Sequence, residues 1–247
     1  MLTIAVPMAG SSSFYPEADN IYPKIFREVL GKPMIQVVIE NLMTIDVPKR
    51  FLFIVNQSDV TKYRLDNVLR MLTGDQCEIV VQSAPTKGAV CSLLLGVKTL
   101  NHNDPLLITN SDQIVDHNLN LIINYFYQPD IDGGVVCFDS VHPQWSYAGV
   151  INSNHLAEAA EKQPISRHAI AGMYFFKKGT DFVQSAINSI LKDRSHAGRF
   201  YTSSVLNEMI LANKTLRIYN IKSSDYHSFY TPDKIGEYEQ LLKDNKI

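Results

Sequence analysis

The sequence is poor in the residues that would announce the simplest functional classes. Among 247 residues there are only three cysteines, Cys77, Cys91 and Cys137, an odd number set far apart in the apolar stretches CEIVV, AVCSLLLG and GVVCF. They fit neither a disulfide framework nor a metal cluster and read as core thiols. The remaining metal-type candidates, seven histidines, are scattered without ligand spacing, so no zinc site is expected. No apolar run approaches the roughly 20 residues that a membrane-spanning helix needs. The opening MLTIAVPMAG has no basic segment and meets a proline early, so neither a signal peptide nor an anchor is expected. An excess of charge of one sign is missing too. The net charge of −2 and pI near 6.4 give no electrostatic reason for a nucleic-acid or membrane partner. A soluble, cytoplasmic globule is expected; homo-oligomerisation is left open.

What the chain does have is alternation. LTIAVPM (2–8), FLFIVN (51–56), CEIVVQ (77–82), PLLITNSD (105–112) and GGVVCFDS (133–140) are short runs rich in β-branched residues. Apolar on both faces, they suit parallel strands covered by helices. Between them, 34–45, 62–72 and 88–100 carry apolar residues at helical spacing. This order predicts an α/β fold, a doubly wound and mostly parallel mixed sheet. The second half changes character. Residues 147–153, 165–179 and 215–224 read as strands joined by longer polar connections. Residues 181–194, 202–213 and 236–244 read as helices, the middle one with Thr202 or Ser203 as its N-cap. No linker or repeat divides the chain, so a single domain over 1–247 is expected, with a nucleotide-binding half (1–125) and an acceptor half (126–247).

Open parallel sheets bind ligands outside the carboxyl ends of their strands. Three polar segments fall there: AGSSSF, QSAPTKG and TNSDQ. Ala9, Gly10, Ser11, Ser12 and Ser13 could present backbone N–H groups and hydroxyls to phosphate oxygens, or merely turn the chain into a helix. Lys24, stiffened by Pro23, could neutralise a phosphate, or be a solvated surface lysine. Asp112 is placed as a Mg²⁺ ligand, since magnesium takes one or two protein oxygens and completes its shell with phosphates and water. Its alternative is a helix cap, a task Asp116 could also perform. Gln82 and Gly88 flank SAPTK, where an amide and bare backbone could read a base edge, or simply form a strand–helix turn. Glu161-Lys162 could offer a second lysine to a second phosphate, or be an ordinary surface pair. Trp145, the single tryptophan, reads as a packing anchor.

In order along the chain, VPMAGSSSF (6–14), PKIFREVLGKPMI (23–35), TNSDQ (109–113), HPQWSYA (142–148), EKQPIS (161–166) and TPDKI (231–235) resemble the sugar-1-phosphate nucleotidyltransferase superfamily. The similarity is to a bacterial branch of capsule and lipopolysaccharide pathways, and runs from residue 2 to roughly residue 240. The resemblance implies a Rossmann-like fold and transfer of NMP from an NTP to a sugar 1-phosphate, with Mg²⁺ as cofactor and release of pyrophosphate. It implies that Ala9–Ser13 and Lys24 hold the triphosphate, that Gln82 and Gly88 lie against the base, and that Asp112 binds Mg²⁺. Lys162, beside Glu161, would hold the acceptor phosphate, and Gly172 would line the sugar side.

The chain departs from the family pattern twice. Where relatives have G-x-G-x-R it has Gly10-Ser11-Ser12-Ser13-Phe14, with Arg27 the nearest substitute for the missing arginine. Where many relatives place an acid three before the closing T-P it has Ser228, and the nearest acid is Asp225. Two other readings are carried. A nucleotide-sugar-dependent glycosyltransferase of related fold would want a D-x-D pair, which Asp112 lacks. A non-catalytic nucleotide-binding homologue would fit the missing arginine.

Overall fold

The computed structural model describes residues 1–10 and 23–244. Its first half runs β1 (Leu2–Pro7), β2 (Glu28–Val29), β3 (Lys32–Pro33), α1 (Met34–Met43), β4 (Lys49–Asn56), α2 (Gln57–Tyr63), α3 (Leu65–Thr73), β5 (Cys77–Gln82), α4 (Ala89–Leu94), α5 (Val97–Leu100), β6 (Leu106–Thr109), β7 (Gln113–Val115) and α6 (Leu119–Phe126). The second half runs β8 (Gly133–Asp139), β9 (Ser146–Ile151), β10 (His155–Glu161), β11 (His168–Phe176), α7 (Gly179–Leu191), α8 (Thr202–Leu211), β12 (Leu216–Asn220), β13 (Tyr226–Ser228) and α9 (Pro232–Asp244).

Nine strands form one sheet in the order β5-β4-β1-β6-β11-β8-β12-β10-β9. The first four are parallel, as their doubly apolar character predicts. β11 then runs antiparallel between β6 and β8 and joins the two halves of the chain. β4 shows why helices must cover both faces. Phe51, Phe53 and Val55 enter one core cluster with Ile35 and Val38 of α1, while Leu52 and Ile54 enter the other with Val90 and Leu93 of α4. Each such side chain removed from water stabilises the fold by about 1.5–3 kcal/mol before entropy is counted.

Several boundaries differ from expectation, each for a local reason. The helix expected over 62–72 is two, because Arg64 takes a left-handed conformation (φ 52°) between α2 and α3. The helix expected over 88–100 breaks at Gly96, where a Cβ would sit 2.9 Å from the Leu52 side chain. The strand expected over 105–112 stops at Thr109, and Asn110–Asp112 form a turn into β7. Neither Thr202 nor Ser203 caps α8; both lie inside the helix and Tyr201 occupies the cap position. α6 is capped by Asn118, whose side chain accepts the Asn120 N–H, and not by Asp112 or Asp116. The last helix begins four residues before Gly236, at Pro232, a residue suited to a first helical turn. β10 replaces an expected polar connection: a bulge between Leu156 and Glu158 disrupts its alternation.

Candidate active site

Because β1, β4, β5 and β6 are parallel, Pro7, Asn56, Gln82 and Thr109 end at one edge of the sheet. The residues beyond them gather there. Ala9 is buried and Gly10 exposed; Ser11, Ser12 and Ser13 lie outside the described residues. Lys24 opens a single 3-10 turn (Lys24–Phe26) behind Pro23, and its Nζ donates to the Asp112 carboxylate in an ion pair. The two side chains are only 16% and 23% exposed, so the pair is largely shielded from water. The Tyr230 ring lies under the ammonium at 5.6 Å.

The turn that carries Asp112 is held from three sides. The Asp112 carbonyl accepts the Phe229 N–H at 2.7 Å, where β13 pairs with β7. Next in the chain, buried Gln113 donates through Nε2 to the Ala171 carbonyl at 2.7 Å. Its Oε1 accepts from Asn110 Nδ2 at 3.0 Å and from the Tyr226 hydroxyl at 3.1 Å. Gly172 sits against this amide pair in the left-handed region (φ 60°). A Cβ there would lie 2.3 Å from Asn110 Nδ2 and 2.4 Å from Gln113 Oε1. Gly172 is therefore required by packing against the Asp112 turn, a reason that the sequence pattern did not disclose.

Gln82 closes β5 with its side chain 6% exposed. Ser92 of α4 donates to its Oε1 at 2.7 Å, and Thr86 lies 2.7 Å from the Ser92 hydroxyl. The amide is thus tethered through its oxygen, leaving the NH₂ as the group it can present. Gly88 (φ 109°) is pressed against Phe200, whose backbone oxygen would lie 2.5 Å from a Cβ. The loop between β5 and α4 is in this way clamped by the segment that precedes α8.

Glu161 ends β10, and its carboxylate accepts from Ser146 of β9 and Ser203 of α8, the latter at 2.8 Å. Lys162 follows in a left-handed conformation (φ 54°), exposed, with its ammonium 5.7 Å from the Tyr201 ring centroid. Burial, and then the Glu161 charge, push the Tyr174 hydroxyl up; burial and then the Asp112 charge do the same to Tyr226. Both phenols therefore remain protonated donors at neutral pH. Lys24 and Asp112 are brought into contact, whereas Glu161 and Lys162 stand on a separate wall formed by β9, β10 and α8.

Among the described residues no group of three or more His, Cys, Asp or Glu side chains converges as a metal cage. Asp225 is turned away, its Oδ2 3.4 Å from His117 Nδ1, and Ser228 offers a hydroxyl at most. A lone, partly exposed Asp112 carboxylate still fits Mg²⁺, which keeps several waters and relies on substrate phosphates. Arg27 lines a neighbouring cleft of about 690 Å³ with Phe26, Tyr63 and Pro232.

The parallel strand core, the antiparallel crossing strand and the polar turns along one edge define an α/β enzyme of nucleotide-binding type. The family model for nucleotidyl transferases matches residues 9–220, and the chain belongs to that family. No curated protein matches it in sequence. Solved structures share its fold. A nucleoside-diphosphate-sugar pyrophosphorylase from Vibrio cholerae RC9 superposes with a TM-score of 0.82 at 23% identity, over 96% of this chain and 99% of that one. A candidate glucose-1-phosphate thymidylyltransferase from Bacillus anthracis gives 0.77 at 19% identity, over 99% and 96%. A UDP-glucose pyrophosphorylase solved with UDP-glucose gives 0.77 at 14%, over 98% and 98%.

Proposed function

We infer that this nucleotidyl transferase moves NMP from an NTP to a sugar 1-phosphate, and that its product feeds surface-polysaccharide synthesis. The observation that carries this reading is the shielded Lys24–Asp112 pair at the carboxyl edge of the parallel strands. A phosphate oxygen of the acceptor attacks the α-phosphorus; the new P–O bond forms as the bond to the β-phosphate breaks, and pyrophosphate leaves. Such a transfer needs in-line positioning and stabilisation of charge rather than proton movement.

In this reading Ala9–Ser13 and Lys24 hold the triphosphate, and Gln82 and Gly88 lie against the base. Lys162 holds the acceptor phosphate, while Glu161 and Gly172 flank the sugar. Asp112 would hold Mg²⁺, which supplies neutralisation of phosphate charge when bound. Lys24 pairs with the same carboxylate, keeping both side chains oriented toward the edge. The resemblance in fold to sugar-nucleotide pyrophosphorylases supports the choice of acceptor.

The test is direct. The protein is incubated with each of four NTPs, Mg²⁺ and a panel of sugar 1-phosphates, and products are identified by mass. A nucleotide-sugar with matching pyrophosphate is expected for at least one pair. Folded protein that yields neither with any pair would overturn the assignment.

A further inference from the structure

The two lysines assigned to phosphates each stand over a tyrosine ring, Lys24 over Tyr230 at 5.6 Å and Lys162 over Tyr201 at 5.7 Å. Lys24 is also held by the Asp112 carboxylate. Lys162 is exposed and forms no ion pair among the described residues. An ammonium on a flexible four-carbon stem has to be aimed before it can hold a phosphate in one place. We propose that Tyr201 aims Lys162, as a positioning residue for the transfer, and that Phe200 makes this aim depend on the loop between β5 and α4. The inference rests on the assignment of Lys162 to the acceptor phosphate and adds a requirement to it.

The Tyr201 ring is itself fixed. Its residue occupies the cap position of α8, where its carbonyl accepts the Ser204 N–H at 3.1 Å and the Ser204 hydroxyl at 2.7 Å. The His196 ring stands edge-on to it at 6.2 Å. An ammonium within about 6 Å of a ring centroid is drawn to the negative face of that ring. The Tyr201 hydroxyl makes no hydrogen bond among the described residues, so the ring face alone meets the lysine. One step along the helix, Ser203 donates to Glu161 at 2.8 Å. Tyr201 and Ser203 thus grip the consecutive residues Lys162 and Glu161 from the same turn of α8.

The residue before Tyr201 grips the nucleotide side. The Phe200 N–H donates to the Lys87 carbonyl at 2.7 Å, and the Phe200 carbonyl accepts the Val90 N–H at 3.3 Å. Its side chain is 6% exposed and enters the core cluster of Val90 and Leu93. Gly88 leaves no slack, since a Cβ there would lie 2.5 Å from the Phe200 oxygen and 2.7 Å from its nitrogen. Neighbouring peptides cannot move independently across so short a bridge. A displacement of the β5–α4 loop is therefore passed to Tyr201, and from its ring to the Lys162 ammonium.

The intact protein is compared with Tyr201→Leu, Tyr201→Phe and Gly88→Ala. Lysines are labelled as ¹³C-dimethylamines, which keep their charge, and the Lys162 resonance is assigned by its loss in Lys162→Arg. In the unaltered protein this resonance should be shifted upfield by the Tyr201 ring. The shift should disappear in Tyr201→Leu, survive in Tyr201→Phe and change in Gly88→Ala. With the best substrate pair, Tyr201→Leu should raise the KM for the sugar 1-phosphate about 2–5-fold, the worth of an exposed cation–π contact. The KM for the NTP and the thermal transition should stay unchanged, and Tyr201→Phe should restore the acceptor KM. Gly88→Ala should raise the acceptor KM too, but not when Tyr201→Leu is already present. A Lys162 resonance indifferent to Tyr201→Leu or to Gly88→Ala would overturn the proposal. So would an unchanged acceptor KM in an active Tyr201→Leu protein, or additive effects of the two substitutions. If no substrate pair turns over, the transfer reading fails, and the resonance still decides whether Tyr201 aims Lys162.

Discussion

Replacing Gly172 with alanine tests whether the Asp112 turn is held as described. The new Cβ would stand 2.3 Å from Asn110 Nδ2 and 2.4 Å from Gln113 Oε1. Neither neighbour is a loose surface group, since Gln113 is buried and bonded to Ala171, Asn110 and Tyr226. The φ of 60° adds strain for any residue with a side chain, costing about 1–2 kcal/mol. Overpacking of a fitted site costs about 1–3 kcal/mol more. The sum is about 2–5 kcal/mol, equivalent to a fall of about 5–15 °C in Tm for a domain of this size. Displacing Asn110 and Gln113 also moves Asp112 between them, and a shift near 1 Å costs about 100-fold in rate. Thermal unfolding and pyrophosphate release measured on the same sample separate the two effects. A Gly172→Ala protein with stability changed by less than about 0.5 kcal/mol, as at an ordinary surface site, and with full activity would refute the reasoning.

Three further outcomes are expected. Ser92→Ala removes the tether on the Gln82 amide. It should raise the KM for the NTP about 3–10-fold with kcat little changed, the worth of roughly one hydrogen bond; equal falls in kcat and kcat/KM would argue otherwise. Gly236→Ala places a methyl where nothing lies within 4 Å, inside α9, and should stabilise the fold by about 0.5–1 kcal/mol in urea titrations; a destabilised variant would show that α9 is packed differently. Burial holds the His227 imidazole below its usual value of 6.5, against the opposing charges of Asp116 and Asp225. Folding therefore favours the neutral ring, its contribution is complete above about 6.5, and stability is lost as pH falls through the depressed value. His227→Phe should flatten the decline of the urea midpoint between neutral and mildly acidic pH, whereas identical slopes in both proteins would remove His227 from the account.

The parts of the fold legible in the sequence are those in which one physical demand dominates. β1, β4 and β8 are buried along nearly their whole length, so their residues have to be almost all apolar, and their runs stand out. The family motifs were equally visible, since they are short and ordered along the chain. Other features depend on distant partners. β10 hides behind its bulge, and Arg64 breaks a helix without a glycine or proline to mark the place. Tyr226 supports the Asp112 turn through Gln113, a residue 113 positions away from it, and nothing local to either reveals the contact. Gln113 stood in the quoted TNSDQ segment, yet only its burial shows that it spans Ala171, Asn110 and Tyr226. Likewise Ser146 and Ser203 gather on Glu161 only because β9, β10 and α8 pack together.

The central claim, that the Lys24–Asp112 pair marks the centre of nucleotidyl transfer, is tested most directly by turnover of Asp112→Ala beside the unaltered protein. With the best NTP and sugar 1-phosphate pair, pyrophosphate release should fall by about 100–1000-fold or more, the usual cost of removing one group that stabilises transition-state charge. The thermal transition should remain cooperative. Release within a few-fold of the unaltered enzyme, from a protein that is equally folded, would contradict the account.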